Sequence, residues 1–136
     1  PYDEVDETVK EQLGQPLTEL FATVDREALA SASVAQVHRC TLKDGRKAVI
    51  KVQHRRVRQL FLEDLKNIDR IVRVVAWADK DYDFRPIMNE WAAQSYKELD
   101  FVCEATNLLR ISRAMRRSGL DVIIPELVPE FTRTKA

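Results

Sequence analysis

Ala48-Val49-Ile50-Lys51-Val52-Gln53 is a short β-branched run interrupted by one cation. Residues of this kind favour a pleated, half-buried surface, so Arg46 to Gln53 predicts a strand. Alternation places Lys51 on one face with Val49 and Gln53. On a central strand, an ammonium without a partner is costly, although its stem can pack while its head reaches a carboxylate or a phosphate. On an edge strand, the same lysine faces water. The flanking sequence bears on which reading holds.

Upstream, Lys43-Asp44-Gly45-Arg46 carries the Asp-Gly hairpin signal. Before it, Ala, Val and Ser dominate the run Ala30-Ser31-Ala32-Ser33-Val34-Ala35-Gln36-Val37-His38. Residues 28–53 thus read as three antiparallel strands, with the first bend near Ser33-Val34-Ala35. Small side chains let backbone approach a ligand, as in phosphate loops. Alanine and serine cannot adopt positive φ cheaply, so this loop is stiffer than a glycine loop. A tightly packed hairpin is the plainer reading.

Downstream, the period becomes helical from Arg55 to Ala78. Val57, Phe61, Leu65, Ile68, Val72 and Val75 form one stripe, which predicts a helix packed on the sheet. Asp79-Lys80-Asp81-Tyr82-Asp83 reads as a polar connector, and Pro86 suits the first turn of a second helix. That helix is expected from Ile87 to about Arg117, roughly 45 Å long. Its expected buried side is Trp91, Ser95, Leu99, Val102, Thr106 and Leu109, and Ser118-Gly119 closes it. Glu98, Asp100 and Glu104 put three carboxylates within seven residues. On one continuous helix, Asp100 and Glu104 repel by a few tenths of a kcal/mol, ~0.2–0.5. Solvent tolerates that, but a cation would turn it into attraction, and Lys51 is the natural partner for Glu104. Val122-Ile123-Ile124-Pro125 reads as a short buried strand, and residues 126–136 as the start of another.

At the N-terminus, Val5, Val9 and Leu13 predict a short helix over 3–13, punctuated by Gly14 and Pro16, with one more helical turn from Leu17 to Phe21. The whole is an α+β lobe. Its 136 residues suit one domain or one lobe of a larger one, and 45% hydrophobic with 32% charged residues argue for a globular chain. The net charge is zero, so no basic field invites nucleic acid. His54-Arg55-Arg56 and Arg116-Arg117 read as solvated helix faces. Cys40 and Cys103 lack metal or redox spacing, and His38 and His54 lack ligand spacing, so no metal site is expected. No apolar run is long enough to span a bilayer. An acidic start without an initiator Met predicts a mature or excised piece, and leaves localisation unread.

Taken in order, these segments resemble the UbiB family of atypical protein-kinase-like proteins, associated with coenzyme Q biosynthesis. Pro16-Leu17-Thr18-Glu19-Leu20-Phe21 leads into Leu29 to His38, which looks like the family's alanine-rich loop. Lys51-Val52-Gln53 looks like its strand-three lysine motif. Glu98-Leu99-Asp100-Phe101, then Glu104-Ala105 and Asn107, looks like its signature helix. The resemblance covers roughly residues 9–136.

It implies a kinase-like N-lobe, a small antiparallel sheet with two long helices, of which 55–78 is the family's insertion helix. The second, C-terminal lobe lies outside this chain. Lys51 would contact the α and β phosphates of ATP, and Glu104 would be the helix αC acid that pairs with it. Ala30, Ser31, Ala32, Ser33, Val34, Ala35 and Gln36 would cover the nucleotide, with Val49 beside the adenine. Glu98 and Asp100 would be the Glu-x-Asp pair that meets an inhibitory N-terminal element. Mg²⁺ would be held mainly by the second lobe, which also carries the catalytic Asp. No catalytic residue is then expected here, and the chain alone is expected to be inactive. The implied partners are a nucleotide, the C-lobe and a membrane or lipid surface, in a mitochondrion, plastid or bacterium. Ser31 and Val49 stand where many members have alanine. The family's Lys-x-Gly-Gln element has no clear place, because Leu13-Gly14-Gln15 follows Glu11 rather than a lysine. A nucleotide-sensing module without turnover and a helical docking scaffold are the competing readings.

Overall fold

The computed structural model describes residues 2–78 and 84–136. In chain order the elements are α1 (Tyr2–Leu13), α2 (Leu17–Leu20), β1 (Phe21–Val24), β2 (Ala30–Ser31), β3 (Ala35–Leu42), β4 (Lys47–Gln53), α3 (Val57–Ala78), α4 (Arg85–Glu98) and α5 (Phe101–Ser118). A 3₁₀ turn follows at Pro129–Phe131. The expected α+β class and small antiparallel sheet are both present.

β3 is the spine of the sheet. β4 pairs along it from Ala35↔Gln53 to Thr41↔Lys47. Between them Gly45 takes φ 89°, which the tight turn requires of a glycine. The Asp44 carboxylate accepts the Arg46 backbone N–H at 3.0 Å and its side-chain Nε–H at 2.7 Å. Those bonds, the backbone one foremost, hold the Asp44 carboxyl below its ordinary pKa. On the other side of β3, β2 pairs with its start and β1 with its end. Among the described residues β4 is therefore an edge strand, not a central one. Its outer edge is met at Gln53, whose N–H donates to the Lys135 carbonyl at 2.9 Å.

α2 bears out the helical turn expected from Leu17 but ends one residue earlier than expected, because Phe21 opens β1. α2 stops at Leu20, and Phe21 turns extended at φ −117°, ψ 151°. Phe21 sits opposite Leu42, and both are buried. Burying that aromatic–aliphatic pair outweighs continuing a four-residue helix.

The core lies on one face of the sheet. Cys40, Leu42, Ile50 and Val52 point there and meet Val5 and Val9 of α1 with Leu17 and Phe21. Full burial of such side chains contributes ~1.5–3 kcal/mol each. Arg55 clamps α1 from outside, bonding Glu7 and, at 2.8 Å, Glu11. His38 is a buried structural histidine, with Nδ1 2.8 Å from the Asp25 carbonyl and Nε2 3.3 Å from Gln36 Oε1. Burial pushes the Cys40 thiol pKa up.

The helical side differs from expectation in three ways. The Val57–Val75 stripe is correctly phased, with Val72 buried, but it packs on α4 rather than on the sheet. Phe61 meets Trp91 and Tyr96 there, at ring distances of 6.1 and 5.6 Å. Second, the long helix over 87–117 is broken. α4 ends at Glu98, Asp100 is extended at φ −116°, ψ 101°, and α5 begins at Phe101. The buried side shifts with the break. Phe101 and Ala105 are buried, while Val102 and Leu109 are 44% and 42% exposed. Third, no strand forms at 122–125, where Ile123 is 96% exposed, or at 126–136, where the chain makes the 3₁₀ turn and then docks its backbone on β4 and α5. The expected Gly119 closure and the Pro86 start hold. The connector at 79–83 lies outside the described residues.

Candidate functional site

Lys51 is half-exposed on the sheet face opposite the core. Its Nζ donates to Glu104 Oε2 at 2.6 Å, across 53 positions of sequence. The same ammonium lies 4.6 Å from the centroid of the Phe101 ring, within cation–π reach. Strand alternation aims Lys51, and helical spacing brings Glu104 to it. Phe101 is the first residue of α5 and Glu104 stands about one turn later, so both reach the same point.

The break before α5 has a local cause. Asp100 is the N-cap, and its carboxylate accepts the Val102 backbone N–H at 3.0 Å. Aspartate satisfies an otherwise orphaned helical N–H and complements the helix dipole. The expected repulsion between Asp100 and Glu104 on one continuous helix face therefore does not arise. Asp100→Ala is expected to cost about 1 kcal/mol of stability, with Asp100→Asn losing far less. Thermal melts of the two variants check this, and equal melts would remove the capping role. Glu98, the last residue of α4, is exposed.

The alanine-rich segment forms the β2–β3 hairpin. Ala30 pairs with Val37 and Val37 with Lys51, so these three share one row and one face of the sheet. Two strand spacings put Ala30 about 9–10 Å from Lys51. Ser31 pairs with Gln36 and Gln36 with Val52, on the opposite face. The serine that replaces a common alanine therefore projects away from Lys51, and the Gln36 side chain is engaged with His38. Only the Gln36 backbone is left to serve the lysine side. At the tip, Ala32 N–H donates to the Ala35 carbonyl at 2.9 Å. His54 holds the tip from beneath, through its backbone N–H to Val34 (3.0 Å) and its Nε2 to the Ala32 carbonyl (3.0 Å). Ala30, Ser31, Ala32 and Ser33 are exposed, and Val34 half-buried. Val49, two residues before the lysine on its face, is 57% exposed.

Sequence reasoning paired Lys51 with Glu104 but missed Gln53, His54 and Phe101 as supports. Gln53 donates its Nε2–H to the Leu99 carbonyl at 3.0 Å. The parity of Gln53 with Lys51 was the available signal for it. Nothing in the sequence around His54 marks its hold on a loop more than twenty residues earlier. Among the described residues, no group of three His, Cys, Asp or Glu side chains could hold a metal ion.

Comparison with known proteins agrees with this geometry. Residues 1–136 match the family described as the ABC1 atypical kinase-like domain. The chain is 36% identical over 132 residues to a probable protein kinase UbiB of Cellvibrio japonicus, covering 93% of this chain and 23% of that protein. It is 33% identical over 112 residues to AarF domain-containing protein kinase 1 of Xenopus laevis, covering 82% of this chain and 22% of that one. Among solved structures it resembles Rv3197 of Mycobacterium tuberculosis, in complex with erythromycin, with a TM-score of 0.79 and 28% identity over 99% of this chain and 34% of that one. The chain thus spans under a quarter of these two curated relatives. A strand lysine held by a helical acid, in one sheet with a small-residue hairpin, is the arrangement expected of a kinase-like lobe, and the chain belongs to the ABC1 atypical kinase-like family.

Proposed function

We propose that the chain is the ATP-binding N-terminal lobe of a two-lobed, UbiB-type kinase or ATPase. The 2.6 Å contact between Lys51 and Glu104 carries the reading. A lysine ammonium has three N–H donors, and Glu104 takes one of them here. With the Lys51 side chain 41% exposed, the remaining donors are open to the α and β phosphates of ATP. The β2–β3 hairpin lies in the same sheet beside that point, and exposed Val49 offers an apolar surface for the adenine. These residues fit a nucleotide.

When bound, ATP supplies the phosphoryl group. Lys51 would neutralise phosphate charge, with Glu104 and Phe101 holding its head in place. Phosphoryl transfer also needs metal ligands and a base, and the resemblance to the family assigns Mg²⁺ and the catalytic Asp mainly to the second lobe. The 136-residue chain by itself is accordingly expected to transfer no phosphate. Similarity to UbiB supports a role in quinone-lipid metabolism, with membrane or lipid association. Exposed Glu98, with Asp100, supports a regulatory contact with an N-terminal element.

Calorimetric titration of ATP into the two-lobed protein tests the site. Lys51→Ala is expected to weaken binding about 10- to 100-fold, the worth of a hydrogen bond between charged groups. Unchanged affinity would sink the reading and favour a helical scaffold. Binding without turnover would favour the nucleotide-sensing module.

A further inference from the structure

Gln53 ends β4 on the same face as Lys51, and it is 3% exposed. Its Nε2–H donates to the Leu99 carbonyl at 3.0 Å. Leu99 sits at the break between α4 and α5, where the ladder of helical hydrogen bonds is interrupted. Two backbone bonds close the same junction. Gln53 N–H donates to the Lys135 carbonyl at 2.9 Å, and Phe101 N–H donates to the Thr134 carbonyl at 3.1 Å. One buried amide thus links the end of the lysine strand to the start of the acid-bearing helix.

We propose that Gln53 is a positioning residue that fixes α5 relative to β4 and so sets Glu104 and Phe101 against Lys51. Phe101 and Ala105 are the buried residues of α5, so its first turn anchors the helix. A buried amide costs free energy unless its hydrogen bonds are made. Among the described residues no buried side-chain nitrogen or oxygen lacks a partner, and Gln53 satisfies its donor through this contact. Its reach to Lys51 is short and stiff. The lysine is two residues back along one strand, and Glu104 is about one helical turn beyond the junction. The consequence for nucleotide binding rests on the function proposed above, but the geometry does not.

Amine-selective labelling of the purified protein, read residue by residue by mass spectrometry, tests the proposal without nucleotide. Gln53→Met keeps the volume and removes the donor. An ion-paired ammonium labels slowly, so Lys51 is expected to label about five-fold faster in Gln53→Met, close to the full worth of an exposed pair. Lys43 and Lys47, exposed on the neighbouring hairpin, are expected to keep their rates. A thermal melt on the same preparations separates this from general destabilisation, since those two lysines are already exposed. Glu104→Gln is expected to give the same rise at Lys51, and the double variant no more than either alone. An unchanged Lys51 rate in folded Gln53→Met, or two effects that multiply, would overturn the proposal. If Gln53→Met does not fold, Gln53→Asn, which keeps the amide one methylene short, is read in the same way. ATP titration in parallel separates the two ideas. A wild-type protein that binds no ATP but shows the labelling pattern loses the nucleotide reading and keeps Gln53. One that binds ATP while Lys51 labelling ignores Gln53 does the reverse.

Discussion

Val9→Asp is expected to unfold the lobe. Val9 is 0% exposed, in the middle of α1, against Val5, Leu17, Ile50 and Val52. The substitution removes apolar burial and places a carboxylate where no described cation lines the cluster. Together these costs exceed about 4 kcal/mol, a large part of a stability of order 5–15 kcal/mol. A fall in melting temperature of more than about 10 °C is expected for a chain of this size. The contrast is Val49→Asp, on the opposite face of the same sheet and 57% exposed. It is expected to change stability by no more than about 0.5 kcal/mol, while weakening ATP binding by putting a carboxylate in place of the apolar surface proposed for the adenine. Thermal melts of both variants decide the matter. Similar melts for the two would mean that α1 is dispensable and that the core lies elsewhere.

That contrast shows what the sequence makes legible. Alternation along Val49, Lys51 and Gln53 gives the outward face correctly, and the opposite parity gives Ile50 and Val52 to the core. The Asp-Gly turn and the bend near Ser33 are local signals, and both hold. β1 is different. Of its four residues only Phe21 fell within the expected helical turn, and the distant Leu42 makes it a strand residue. The break at Asp100 was concealed by an apolar period that runs smoothly across it. Aspartate before an apolar run is a capping signal, but its strength here comes from partners far away in sequence, Gln53 and Thr134. The stripe on α3 has the right phase and the wrong partner, because periodicity names a buried face without saying what buries it. At the site, charge type and helical spacing suffice to pair Lys51 with Glu104. The residues that support the site, Gln53 and Phe101 at the pair and His54 at the hairpin tip, act through an amide, a ring and an imidazole. These have no charge complement to predict them by.

Glu104→Ala is expected to reduce turnover of the two-lobed protein about 100-fold while hardly moving its melting temperature. The two effects separate because the pair is exposed. Lys51 and Glu104 are 41% and 57% accessible, so their contribution to stability is about 0–1 kcal/mol despite the 2.6 Å contact. The corresponding fall in melting temperature is under about 4 °C. Aim is a different matter. Without Glu104, the Phe101 ring still attracts the ammonium, since its centroid lies 4.6 Å away, but a ring face sets no direction for the N–H donors. A phosphate-binding group displaced by about 1 Å can cost about 100-fold in rate. Glu104→Gln, which keeps an acceptor oxygen without the charge, is expected to fall between Glu104→Ala and wild type. Steady-state ATP hydrolysis and a thermal melt on the same preparations make the comparison. Turnover that survives Glu104→Ala would show that Lys51 needs no helical partner. A collapse of the melt alongside turnover would mean that the pair holds the lobe together rather than aiming its lysine.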